Sequence, residues 1–91
     1  MEENVIFIGK KPTMSYVLAV VTRFSAGNAA VTLKARGKII SKAVDVAEVA
    51  RNRFVQDAVI DSIHIGTEEV EDANKEKLNV STIAIKLAKK M

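Results

Sequence analysis

The spacing of apolar positions changes along the chain, and each change marks an element. Val5 to Ile8 is an apolar run of β-favouring residues closed by Gly9, the pattern of a buried strand entering a turn. Pro12 suits the first turn of a helix, where its missing N–H is no loss. Met14, Val17, Leu18, Val21 and Phe24 then recur at spacings of three and four, and Gly27-Asn28 supplies a stop, so a helix is predicted over Pro12–Ala26 with those five residues facing the core. Val31, Leu33 and Ala35 alternate with Thr32, Lys34 and Arg36, the period of a half-buried strand that ends at Gly37.

A second helix fits Lys38–Phe54, with Ile40, Ala43, Val44, Ala47, Ala50 and Phe54 toward the core. Its apolar arc is wider than one sheet face covers, because Ile39, Val46 and Val49 extend it, and the extra width predicts a subunit interface. After the Gln56-Asp57 turn, the segments from Val59 to about Val70 and from Asn79 to about Lys89 both alternate and read as a hairpin. The polar connection from Asp72 to Leu78 is expected to project into solvent. The order strand, helix, strand, helix, strand, strand predicts an α+β two-layer sandwich, with two helices on one face of a four-stranded mixed sheet.

The chain has 91 residues, which sets the expectation of one domain over residues 1–91, compact and simple or completed by a second copy. Its aromatics are Phe7, Phe24, Phe54 and Tyr16, so the core is expected to be aliphatic. With no cysteine there is no disulfide framework and no thiolate metal site. Nothing at the N-terminus reads as a signal peptide, and no apolar stretch is long enough to span a bilayer, so an intracellular location is the default and no membrane partner is expected.

Charge changes the picture through its distribution. The formal net charge is +3, yet no acidic residue falls between Asn4 and Val44, where Lys10, Lys11, Arg23, Lys34, Arg36, Lys38 and Lys42 all lie. Residues 1–53 carry nine Lys or Arg against four acids, and residues 54–91 carry five against seven. Surfaces usually mix signs, so the acid-free stretch points to an anionic partner. Lys10 and Lys11 sit on a turn that opens a helix, where backbone N–H groups and the dipole also favour phosphate. Parallel pairing of the first two strands puts both helix starts at one end of the sheet, which predicts that Lys34, Arg36 and Lys38 share a surface with the lysine pair.

Chemistry is poorly supplied, and the reading is of a protein that is not an enzyme. His64 is the sole histidine and stands between Ile63 and Ile65 in an ordinary strand position. Glu68, Glu69, Glu71 and Asp72 lack the ligand spacing of a calcium loop, so no metal or other cofactor is expected. Gly9-Lys10-Lys11-Pro12-Thr13 lacks the upstream glycine and the following Ser/Thr of a phosphate loop. Tyr16 is the aromatic nearest the basic cluster, better placed as a positioning hydroxyl than as a stacking platform, so single-strand binding by stacking is not expected.

The blocks Val5-Ile6-Phe7-Ile8-Gly9-Lys10-Lys11-Pro12, Met14-Ser15-Tyr16-Val17-Leu18-Ala19, Leu33 to Asp45 and Arg51-Asn52-Arg53-Phe54 resemble the Alba family of small archaeal chromatin proteins. The resemblance spans nearly the whole chain and extends to the last strand at Val80-Ser81-Thr82-Ile83. It implies the fold of the C-terminal domain of translation initiation factor three and a homodimer, or a heterodimer with a paralogue. It further implies that double-stranded DNA and RNA are bound without marked sequence preference, with coating and compaction of DNA on the chromosome in the cytoplasm. By the same resemblance Lys10 and Lys11 contact phosphates at the centre of the surface, flanked by Lys34, Arg36 and Lys38; Lys42, from the same acid-free stretch, is counted with the nucleic-acid-binding residues. Phe54 lies where neighbouring dimers touch, Arg53 beside it is expected at a dimer or dimer–dimer interface, and Lys10 or Lys11 is the candidate for acetylation, with a lysine acetylase and deacetylase as partners. The same surface serves an alternative client, RNA in ribonucleoprotein assembly or stabilisation. The hairpin tip departs from the family's arginine-bearing pattern, since acids stand among Lys75 and Lys77, and a weaker arm contribution is expected.

Overall fold

A computed structural model describes residues 4–90. It contains β1 (Val5–Phe7), α1 (Thr13–Ser25), β2 (Ala30–Arg36), α2 (Ile40–Val49), β3 (Ala58–Glu71) and β4 (Lys77–Lys89). The sheet order is β1-β2-β4-β3, with β1 parallel to β2 and the other pairs antiparallel. The predicted α+β sandwich with two helices on a four-stranded mixed sheet is therefore the observed fold. The second predicted helix is shorter than its pattern, being preceded by a tight turn over Gly37–Ile39 and followed by a wide turn over Ala50–Phe54 in which the Val55 N–H bonds to the Ala50 carbonyl at 2.7 Å.

The core lies between the helices and one face of the sheet. Ile6, Leu33, Ile85 and Leu87 reach it from the strands, and Val17, Val20, Phe24, Ala43, Val46, Ala47 and Ala50 from the helices and the wide turn. Two of the expected helix registers are rotated. On α1 the buried stripe is Val17, Val20 and Phe24, while Met14 and Leu18 are exposed; on α2 Ala43, Val46 and Ala47 are buried, while Val44 is exposed, as is Phe54 beyond it. Apolar residues cover more than half of each helix, so periodicity alone had no polar face sharp enough to fix the rotation. Val46, expected at a subunit interface, has no accessible surface, and Ile39 and Val49 are half-buried against the core. The outward apolar residues of this segment are instead Val44 and Phe54.

The β3–β4 hairpin outruns the rest of the sheet. Strand β4 pairs with β2 from Thr82 to Ala88, but with β3 back to Lys77, so the far half of the hairpin has no other strand beside it, and the molecule extends to 46 Å in its longest dimension. A bulge between Ile60 and Ser62 admits one extra residue, Asp61, so that Ile60, Ile63 and Ile65 fall on the helix side of the sheet despite their uneven spacing. The helices do not cover this edge: Ile63 and Ile65 are 54% and 82% exposed. At the tip, the Asp72 carboxylate accepts the N–H groups of Asn74 and Glu76, both at 2.9 Å, and Lys75 adopts the left-handed conformation that completes the turn. Along the last turns of the helical segment, Arg51 bonds to Glu48 at 2.7 Å and holds its carboxyl below the usual range.

Candidate nucleic-acid interface

Parallel pairing of β1 and β2 sets Phe7 beside Lys34, and the Ile8 N–H continues the ladder to the Lys34 carbonyl at 2.8 Å. The chain therefore leaves both strands at the same end of the sheet. There β1 turns through Gly9, Lys10 and Lys11 into α1, and β2 turns through Gly37 and Lys38 into α2. Gly37 takes a positive φ of 63°, a conformation that a side chain would strain, so its position between Arg36 and Lys38 follows from the bend.

Four side-chain hydrogen bonds fix the first turn. The Tyr16 hydroxyl accepts the N–H groups of Gly9 at 2.9 Å and Lys11 at 3.1 Å, and a Cβ on Gly9 would come within 3.2 Å of that oxygen. From α2, the Lys42 ammonium donates to the carbonyls of Gly9 and Lys11, each at 2.9 Å, and lies 6.0 Å from the centre of the Tyr16 ring. Lys42 thus fastens the start of α2 to the start of α1, with its charge directed into the turn. The Tyr16 hydroxyl thus bonds the backbone on both sides of Lys10. It also takes up backbone donors expected to be open to a phosphate: the N–H groups of Gly9 and Lys11 are bonded to it, and that of Ser15 to the Pro12 carbonyl. What this turn presents outward is chiefly the two exposed ammonium groups of Lys10 and Lys11.

The remaining candidates divide by face. Lys34 and Arg36 project from the side of the sheet away from the helices, since Val31, Leu33 and Ala35 alternate with them into the core. Lys38 is exposed on the turn beyond. The two basic clusters therefore share an end of the molecule, while the strand cations look out over the open sheet face. Arg36 is engaged by Glu68 of β3 at 2.7 Å, and Lys77 lies 4.0 Å from Glu69. Lys10, Lys11, Lys34, Lys38 and Lys75 have no ion-pair partner among the described residues. The pairing of Arg36 across 32 positions is invisible to local pattern. Phe7 was also missed: a short uniformly apolar run conceals its alternation with Ile6 and Ile8, yet Phe7 is 72% exposed on the open face.

No group of three or more metal-ligating side chains converges among the described residues, and none of the helices found there is long and apolar enough to cross a membrane.

A small α+β sandwich with paired basic turns at one end of its sheet defines a class, and comparison identifies it. The Alba family model matches residues 4–67, and the chain belongs to the Alba family. It is 58% identical over 84 residues, covering 92% of this chain and 88% of the relative, to the DNA/RNA-binding protein Alba of Methanocella arvoryzae. It is 52% identical over 90 residues, covering 99% of this chain and 100% of the relative, to DNA/RNA-binding protein Alba 1 of Archaeoglobus fulgidus. The solved structure of Alba from Thermoplasma volcanium superposes with a TM-score of 0.91 at 51% identity, covering 94% of this chain and all of that one. ALBA1 from Trypanosoma brucei, at 21% identity and a TM-score of 0.79, shares the fold; the match covers 98% of this chain and 71% of that one.

The Lys42 clamp has a measurable consequence. Lys42→Met keeps most of the stem and removes two charged hydrogen bonds, so urea unfolding should show a loss of about 1–3 kcal/mol. A change below about 0.5 kcal/mol, typical of an uninvolved surface position, refutes the clamp.

Proposed function

We propose that this chain is a dimeric, non-enzymatic architectural protein that binds double-stranded DNA and RNA through their phosphates and coats and compacts chromosomal DNA in the cytoplasm. The observation that carries the reading is the convergence of the two basic turns at one end of the sheet, tied together by Lys42. The archaeal relatives, which are DNA/RNA-binding proteins by name, support it. Lys10 and Lys11 are the central phosphate contacts. Lys34, Arg36 and Lys38 flank them, Lys75 and Lys77 add backbone contacts from the hairpin, and Lys42 and Tyr16 hold the turn in shape. Acetylation of Lys10 or Lys11 removes one charge from the centre of the patch and weakens binding, which gives a lysine acetylase and its opposing deacetylase a point of control.

The dimer forms along the uncovered edge. Ile40 and Val44 stand one helical turn apart on α2, and Ile40 shares a hollow with Ile65 and Ile83 beside the exposed Ile63. Apolar surface of this kind on a 91-residue chain is completed by a second copy, or by a paralogue carrying the same face. Arg53 and Phe54, both exposed beyond α2, are left for contact between neighbouring dimers on nucleic acid.

Anisotropy titrations against matched DNA and RNA duplexes over a salt series test the phosphate mechanism. With on the order of four to six contacts, the log–log salt slope on duplex DNA should be about −4 to −5, and Lys10→Ala/Lys11→Ala should flatten it by about 1.8 for each protomer in contact. A flat salt response, or a double variant that binds like wild type, removes the proposal. Ile65→Asp leaves the monomer core untouched and should convert the dimer to a folded monomer by light scattering; a dimer that survives it places the interface elsewhere. Glu68→Gln should release Arg36 and tighten duplex binding about two- to fivefold, the equivalent of roughly 0.4–1 kcal/mol for an exposed pair. An unchanged affinity means that the Arg36–Glu68 pair does not compete with phosphate.

A further inference from the structure

We infer that the open face of the sheet carries a second site, one that takes an unpaired nucleotide strand, with a base stacked on Phe7 and the adjoining phosphates on Lys34 and Arg36. This rests on the chain being a nucleic-acid binder and adds a ligand class, single strands, that the basic turns at the end of the sheet do not select.

The register builds the site directly. Phe7 lies opposite Lys34, Lys34 opposite Ala84, and Ala84 opposite His64, so one cross-strand row reads aromatic, cation, methyl, imidazole on the face away from the helices. In the adjacent row Arg36 pairs with Thr82, and Thr82 with Gly66. Strands are spaced about 4.8 Å apart, so the row from Phe7 to His64 spans roughly 14 Å. The small residues Ala84 and Gly66 leave its middle low, and the result is a groove of about 560 Å³ whose lining includes Phe7, Lys34, Arg36, His64, Thr82 and, paired with Arg36, Glu68. That volume lies within the range of about 300–1,000 Å³ in which small-molecule sites fall.

Chemistry selects the occupant. An aromatic ring that is 72% exposed costs hydration and adds nothing to the core, but it offers a flat π-surface that any base can cover. Lys34 and Arg36 stand on the neighbouring strand, Lys34 without an ion-pair partner among the described residues and Arg36 in an exposed pair with Glu68 that a phosphate has to displace, while His64 and the Thr82 hydroxyl provide hydrogen-bonding groups across the groove. Four-stranded sheets that read single-stranded RNA use the same combination of exposed aromatics and flanking cations, because bases can be splayed onto a sheet only where they are not already paired. A duplex keeps its bases stacked internally and presents only phosphate, so Phe7 has nothing to grip there. The site is thus separable from the phosphate contacts of Lys10 and Lys11.

The chain contains no tryptophan, which makes Phe7→Trp a clean reporter. The full chain, as wild type, Phe7→Trp and Phe7→Ala, is titrated by anisotropy with labelled oligo-U, with oligo-dT and with a matched RNA duplex, and the Trp variant is followed in parallel by its own emission. Phe7→Ala should weaken binding to oligo-U, oligo-dT or both by about fivefold or more while leaving the duplex within about twofold, and the Trp emission should be quenched by the same single strand at the same midpoint. The arm that shows the loss tells which sugar the groove accepts. Single-strand binding that is indifferent to Phe7→Ala, or an indole that stays bright at saturation, overturns the inference. So does a shift from dimer to monomer in Phe7→Ala by light scattering, which would assign the ring to a subunit contact. Failure of wild type to bind the duplex is a different result and strikes the proposed function itself.

Discussion

The parallel pairing of β1 with β2 is the constraint on which the rest of the molecule depends. A parallel pair cannot be joined by a tight turn, so the chain must cross over, and α1 is the crossover that buries Ile6 and Leu33 beneath Val17, Val20 and Phe24. The same pairing makes both strands exit at one end, which brings two lysine-bearing turns together although more than twenty residues separate them in sequence. Antiparallel pairing of the same two strands would have placed them at opposite ends. The charge asymmetry of the chain therefore becomes a spatial asymmetry only through this one choice of strand direction.

Positive charge at that end is organised as much as it is accumulated. Lys42 turns inward to two backbone carbonyls, Tyr16 bonds two N–H groups, and together they fix the turn from which Lys10 and Lys11 are exposed. A fixed turn loses less entropy when it meets a ligand, which is what the clamp contributes to the proposed phosphate binding. The acids of the hairpin have comparable local roles. Asp72 closes the tip, and Glu68 holds the Arg36 guanidinium over the open face. Acids that look, by composition, like a dilution of the basic surface are structural groups with defined partners.

Exposed apolar residues sort into sets with different origins. Ile63 and Ile65 are core-type residues on the helix side of a strand that the helices do not reach, the surface assigned to the second copy in the proposed dimer. Phe7 points to the opposite side of the sheet and stands among cations, so its surroundings favour an anionic, π-bearing ligand over a second hydrophobic surface. The distinction rests on which face of the sheet a side chain occupies, and a shift of register by one residue would exchange the two sets.

The sequence by itself determined the kind and order of the elements, because the signals are local: Pro12 and Gly27 bound α1, Gly37 bends the chain after β2, and alternation marks the long strands. It also determined the candidate chemistry, since Gly9-Lys10-Lys11-Pro12 and the acid-free stretch are legible without a fold. Tertiary structure decided which of several equivalent apolar residues went inside. Leu18 and Val20 are equally able to fill a core, as are Val44 and Val46, and only the position of the sheet beneath each helix buried Val20 and Val46 and exposed the others. It likewise decided the fate of individual charges. Lys42 and Lys38 look alike in the chain, yet one reaches two carbonyls and the other solvent, and Arg36 meets a carboxylate 32 residues away. Burial and pairing depend on neighbours that are distant in sequence, so the surface on which function rests is written in the pattern only as a set of options until strand direction and register choose among them.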